Sequence, residues 1–202
     1  SDDHKKIPFA ELEKILQELR KVDTVKIIRI DTKMPAVLPM RITDSLVKML
    51  KKYHPLYITL HFVHPEEMTP ETRLACEKMA DAGIPLGTYT SILKGINDDR
   101  EVLKRLFWEL VQARVRPYYL VQFVPSEWTE YFRVPLETSL KILEGLHGEL
   151  SGIAIPSFKV YTHGKGKVPL LPEYYFGRIK EGHLLKTYKD EVALYPEPIE
   201  KP

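Results

Sequence analysis

The residues best suited to chemistry lie in the stretch Gly164-Lys165-Gly166-Lys167-Val168-Pro169. Two glycines let a backbone approach a ligand closely, and Lys167 stands just before a strand-like run. A lysine so placed can form a Schiff base with an aldehyde such as pyridoxal phosphate once desolvation lowers its pKa. The G-x-x-x-x-G-K-[ST] spacing of a Walker A loop is absent. Spacing alone favours a plainer reading, a solvated turn carrying two ordinary lysines. His61 and His64 flank a strand end in His61-Phe62-Val63-His64-Pro65. Three positions apart on an extended chain, they face opposite sides, which disfavours joint chelation of one metal. One packed and one solvent-facing histidine is the expectation, although strand ends of this kind also form a barrel mouth. Arg114, Arg116, Tyr118 and Tyr119 cluster where a helix passes into a strand. Guanidinium forks suit carboxylate or phosphate, and tyrosines stack on rings. Both arginines are expected ahead of the strand, remote from a mouth, so structural ion pairs are the reading. Asn97-Asp98-Asp99 offers a helix cap. Cys76, beside Ala75 and Met79 in a helical pattern, reads as a buried, inert thiol. No G-x-S-x-G elbow and no H-E-x-x-H motif is present.

These residues are carried by an alternation of two periodicities. Ile7 to Lys21 is helical through Phe9, Leu12, Ile15, Leu16 and Leu19, and Val25 to Ile30 is a β-branched strand. Thr43 or Asp44 caps a second helix with Leu46, Val47, Met49 and Leu50 on its apolar face. Tyr57 to Phe62 is the next strand, and Thr69-Pro70-Glu71 opens a helix that ends at Gly83. Pro85 to Leu93 is extended, Asp99 to Arg114 helical, Tyr118 to Val124 extended, Leu136 to Leu150 helical, and Ile153 to Tyr161 extended. Val168 to Leu171 and Leu184 to Leu194 predict short strands around turns. The fold class is therefore α/β. A partial, TIM-like (β/α) barrel is expected, with four to five parallel strands over residues 1–161 and a small β extension over 162–202. A complete (β/α)8 barrel takes about 250 residues, and five strands cannot close one. The first element is a helix with no strand before it, so the strand at Val25–Ile30 is expected to expose a sheet edge. A small open α/β sheet is the plainer alternative.

Composition narrows the classes. The 202 residues are 44% hydrophobic and 29% charged, the proportions of an ordinary globular domain. Thirty basic against twenty-eight acidic side chains give +2, so no basic field argues for nucleic acid. No apolar run reaches the roughly 20 residues of a membrane helix, and the start lacks an apolar signal stretch, so the cytoplasm is the expected compartment. One cysteine excludes an internal disulfide and any all-cysteine metal or iron–sulfur site made by this chain alone.

In order along the chain, further stretches form a pattern. They are Val37-Leu38-Pro39 with Arg41-Ile42-Thr43, Leu50-Lys51-Lys52-Tyr53-His54-Pro55, His61-Phe62 and His64-Pro65. Ala80-Asp81-Ala82-Gly83-Ile84-Pro85-Leu86-Gly87, Gly95-Ile96-Asn97-Asp98 and Arg114-Val115-Arg116-Pro117-Tyr118-Tyr119 follow. Phe132-Arg133-Val134-Pro135, Ser151-Gly152 with Pro156, and Gly166-Lys167 with Pro169 and Pro172 complete it. Read together, they resemble the lysine 2,3-aminomutase family of radical S-adenosylmethionine enzymes over nearly the whole chain.

The resemblance implies a partial barrel that works with pyridoxal phosphate, S-adenosylmethionine and a [4Fe–4S] cluster, in an isomerase that moves an amino group to the neighbouring carbon. Lys167 matches the lysine that carries pyridoxal phosphate, which reverses the reading from spacing alone, and His61 matches a residue near S-adenosylmethionine. Tyr89 stands where the family has a glutamine near that cofactor. Val124 and Tyr161 replace the two aspartates that recognise the distal ammonium of lysine, and Val121 replaces a tyrosine near the pyridoxal cofactor. An ammonium buried against valine and tyrosine would be unpaired at a cost of several kcal/mol, so free lysine is not the expected substrate. The CxxxCxxC cluster motif and the arginines for the cofactor phosphate have no counterpart here. Two readings follow. One is part of a split or longer aminomutase, inactive alone, whose partner half or second copy covers the open sheet edge and supplies the cluster. The other is a non-catalytic half-barrel that binds a partner protein or small ligand.

Overall fold

The structure is a computed structural model that describes residues 8–122, 130–162, 166–169, 175–180, 182–186 and 191–196. After α1 (Phe9–Arg20), strands and helices alternate: β1 (Ile28–Thr32), the short α2 (Met34–Val37), α3 (Asp44–Lys51), β2 (Leu56–His61), α4 (Pro70–Asp81), β3 (Leu86–Ile92), α5 (Arg100–Gln112), β4 (Val115–Gln122), α6 (Leu136–Leu146) and β5 (Ser157–Thr162). Caps set several helix starts. Thr43 Oγ1 accepts from Leu46 N, Thr69 Oγ1 from Thr72 N, and Asp99 Oδ1 from the amides of Glu101 and Val102. At the other end of α4, Gly83 adopts φ +76°, the left-handed turn that stops a helix.

The five strands β1 to β5 pair in parallel and in sequence order. Each connection carries helix, and right-handed crossovers repeated in one direction leave all the helices on one side. That singly wound order belongs to a barrel wall, whereas an open doubly wound sheet reverses its strand order. β6 (Gly166–Pro169) then folds back antiparallel on β5 and extends the same sheet. β7 (Tyr175–Ile179), β8 (Gly182–Lys186) and β9 (Val192–Pro196) form a separate antiparallel sheet. Among the described strands β1 lies at an edge of the sheet, and it alternates burial where β2 is mostly buried.

The core lies between the sheet and its helices. Leu56 and Leu60 of β2 and Val115 and Leu120 of β4 pack with Leu103, Leu106, Phe107 and Leu110 of α5, all without solvent exposure. Ion pairs tie the outer layer, Arg73 to Glu109 at 2.8 Å between α4 and α5 and Lys78 to Asp44 at 2.8 Å between α4 and α3. No helix among the described residues is long and apolar enough to cross a membrane.

Several boundaries differ from the sequence reading. β1 begins at Ile28, three residues after Val25, because its first ladder bond joins Ile28 N to Pro55 O. β4 begins at Val115, directly after Arg114 turns the chain at φ +59°, so Arg116 lies within the strand. α6 ends at Leu146, and Gly152–Ala154 forms a 3₁₀ turn ahead of β5. α2 and β7 were not foreseen; four residues are too few to show a helical period, and Tyr175–Ile179 lacks β-branched alternation.

Candidate functional site

Strand alternation divides the sheet into two faces. One row of register partners, Thr90, Leu120 and Phe158, is fully or almost fully buried and meets the helices. The adjacent row, His61, Tyr89, Tyr119 and Ser157, belongs to the opposite, open face. One two-residue step toward the strand ends comes Ser91, Val121, Lys159 and Pro169. One step further, position 161 pairs with position 167. The register therefore sets His61, Tyr89, Val121, Tyr161 and Lys167 in successive rows across five adjoining strands. Tyr161 and Lys167 are placed here by backbone register alone. Val124 lies outside the described residues.

The described side chains of this face are mostly aromatic and polar, with Val121 as a buried exception, and the helix side is mostly aliphatic, with Thr88 and Thr90 buried among it. His61 stacks on Tyr89 with ring centroids 5.2 Å apart and planes 25° apart. This stacking joins the end of β2 to the middle of β3. Tyr118 and Tyr119 share a hydrogen bond, their oxygens 2.7 Å apart. That bond, with burial second, holds the Tyr118 phenol above its ordinary range. A bulge between Thr88 and Tyr89 lets two successive tyrosines of β4 oppose a single step of β3. Gly87 leaves room for this: a Cβ there would stand 3.2 Å from Tyr118 Cβ. Lys159 Nζ lies 5.1 Å from the centre of the Tyr119 ring, a cation–π contact.

Two residues brace the loops at the strand ends, and neither was singled out for that role from sequence. Asn97 is fully buried. Its Oδ1 accepts from Leu93 N at 2.6 Å, and its Nδ2 donates to Val63 O and Ser91 O, each at 2.8 Å. One side chain thus fastens the loop after β2 to the end of β3, beside His61 and Tyr89. Glu67 accepts from the amides of Val63 and His64 on the same loop. His64 caps a 3₁₀ turn, its Nδ1 accepting from Glu66 N. It has left the strand, so its role is local and structural. In the Asn97-Asp98-Asp99 run the cap is Asp99, while Asp98 accepts from Gly95 N. The polar triplet behind a glycine turn was the available signal for Asn97, and only its burial separates it from a cap.

The remaining candidates resolve into structure. Arg114 pairs with Asp81 at 2.8 Å and donates to Glu77 O, the ion-pair role expected for it. Cys76 is fully buried, and that burial, with the charge of Glu77 second, pushes its thiol up to about 12. A thiol so shielded is no thiolate ligand. Among the described residues no group of three or more histidine, cysteine or acidic side chains is placed to hold a metal.

Comparison with known proteins agrees with this arrangement. The C-terminal family model described as Lysine-2,3-aminomutase matches residues 143–201. An L-lysine 2,3-aminomutase of Fusobacterium nucleatum is 47% identical over 188 residues, covering 93% of this chain and 44% of the relative. That of Clostridium subterminale is 44% identical over 93% of this chain and 45% of its own length. A glutamate 2,3-aminomutase of Clostridioides difficile is 43% identical over 90% of this chain and 43% of its own length. The chain spans less than half the length of each of these relatives.

Proposed function

We propose that this chain, which matches the carboxyl-terminal portion of the lysine 2,3-aminomutase family, is the cofactor-lysine half of an amino-acid aminomutase, an isomerase moving an amino group to the adjacent carbon. The observation that supports it most is the register that sets Lys167 opposite position 161, contiguous with the rows of Val121, Tyr89 and His61. Lys167 would hold pyridoxal phosphate through its primary amine. Val121 and Tyr161 bound the substrate side, without the paired carboxylates a distal ammonium requires, so the substrate is an amino acid other than free lysine. His61 and Tyr89 present their stacked rings to S-adenosylmethionine. When bound, pyridoxal phosphate holds the amino acid by its amino group, and S-adenosylmethionine with a reduced [4Fe–4S] cluster supplies the hydrogen-abstracting radical.

A lysine set in register with position 161, at the end of this sheet face, is the residue that would hold the pyridoxal group. The cluster does not fit. Cys76 is the only cysteine, and it is buried on the helix side with its proton held. Cluster and phosphate ligands therefore come from outside these residues, from an upstream region or a partner chain that covers β1 and the open face. A second copy of this chain as the covering partner, or a half-barrel that binds a ligand without catalysis, are the competing outcomes.

Borohydride reduction of the chain with pyridoxal phosphate, followed by digestion and mass spectrometry, tests the reading. A reduced phosphopyridoxyl group is expected on Lys167 and not on the other lysines at stoichiometric cofactor, and Lys167→Ala should abolish it. Uniform light labelling of surface lysines, with Lys167 no more modified than Lys94, would overturn the assignment.

A further inference from the structure

We propose that Lys159 receives the distal carboxylate of the substrate, so that the site selects an acidic α-amino acid; this deepens the aminomutase reading and rests on it. Lys159 stands in the middle of β5 and is half-buried. Its register neighbours are Val121 on β4 and Pro169 on β6, and neither carries a charge to answer an ammonium. Its Nζ lies over the face of Tyr119, and among the described residues no ion pair joins it to a carboxylate. Asp31, on the far strand β1, is paired with Arg29 at 2.9 Å. The Lys159 ammonium has a cation–π contact with Tyr119 and, among the described residues, none of the stronger charge-assisted hydrogen bonds an anion would give.

Its position relates this charge to the reaction. Lys159 shares the row of Val121 and stands one two-residue step, about 7 Å along the strand, from position 161, whose register partner is Lys167. An amino acid held through its amino group by a cofactor seated beside Lys167 would extend its side chain along this face. A distal ammonium arriving there meets a like charge, and a distal carboxylate meets an opposite one. Tyr119, locked to Tyr118, fixes the aromatic floor under the lysine stem. The charge at Lys159 thus discriminates between amino acids of similar length by the sign at their tips, through attraction to one and repulsion of the other.

Acetylation of lysines in the intact 202-residue chain, pre-loaded with pyridoxal phosphate and read by mass spectrometry, tests this. L-glutamate is expected to slow acetylation of Lys159 several-fold relative to exposed Lys94, while L-lysine, L-alanine and inorganic phosphate leave it unchanged. Lys159→Gln should weaken glutamate binding by roughly tenfold or more, the loss of one charge-assisted hydrogen bond, and Lys159→Arg should retain most of it. Equal protection by alanine would assign the lysine to the α-carboxylate, and protection by phosphate would assign it to the cofactor; either overturns the proposal, as does no protection by any anion. Borohydride reduction of a parallel sample without amino acid separates the two claims. Tagged Lys167 there with unprotected Lys159 sinks this inference alone, and untagged Lys167 there sinks the cofactor assignment and this inference with it.

Discussion

Replacing Asn97 by alanine should be among the most destabilising single changes at the strand ends. The side chain is fully buried and makes three hydrogen bonds, to Leu93 N, Val63 O and Ser91 O. Each buried backbone group left without a partner costs about 1–3 kcal/mol. Water entering the vacated amide volume recovers part of that, which leaves a net loss of about 3–5 kcal/mol. A domain of this kind has roughly 5–15 kcal/mol in all, so the variant should still fold in the cold while losing a large share of its stability. In urea, with a slope of about 2 kcal/mol per molar, the midpoint should fall by about 1.5–2.5 M without a change of slope. Far-ultraviolet dichroism and tryptophan fluorescence should report the same transition. Asn97→Asp keeps the size and the acceptor but removes both donors and sets a carboxylate against two carbonyl oxygens. It should lose at least as much at neutral pH and regain part in acid, where the carboxyl can donate. A midpoint shift below about 0.5 M for Asn97→Ala, corresponding to about 1 kcal/mol, would show that the loops are held by other contacts and that the brace is incidental.

Three further outcomes follow from single residues. His147 is held below its ordinary pKa by burial, against the raising effect of Glu144, so the unfolded chain binds the proton more readily. Its share of stability is complete above the unfolded value near 6.5 and is lost as pH falls through the depressed folded value. His147→Asn should flatten the pH dependence of the melting temperature between about pH 7 and 5, and an unchanged slope would refute the assignment. Gly83 holds φ +76° with open space around its Cβ position, so Gly83→Ala should cost about 1–2 kcal/mol from backbone strain alone, measured by denaturant unfolding. Cys76, with its thiol pushed up to about 12, should resist iodoacetamide at pH 8 in the native chain and react fully in denaturant; rapid native alkylation would contradict its burial.

Much of the fold is legible in local sequence. Thr43, Thr69 and Asp99 announce the helices they cap, because a short oxygen ahead of an apolar-periodic run meets free amides wherever that run coils. The apolar face of α3, Leu46, Val47, Met49 and Leu50, is buried as its spacing demands. The site was legible only in part. The resemblance singled out His61, Tyr89, Val121, Tyr161 and Lys167, while Lys159 and the bracing role of Asn97 carried no local mark, since their significance rests on burial and on neighbours distant in the chain.

The sequence by itself determined the alternation of helix and strand and the want of cysteines for a cluster, each a property of composition or of one segment's periodicity. Tertiary structure alone decided that His61 stacks on Tyr89, that Lys159 shares a row with Val121, and that position 161 faces Lys167 across a hairpin ladder. The reason is physical. Which strand positions share a row is set by interstrand hydrogen-bond register and by a bulge in β3–β4 pairing. A slip of one residue would send every one of these side chains to the other face.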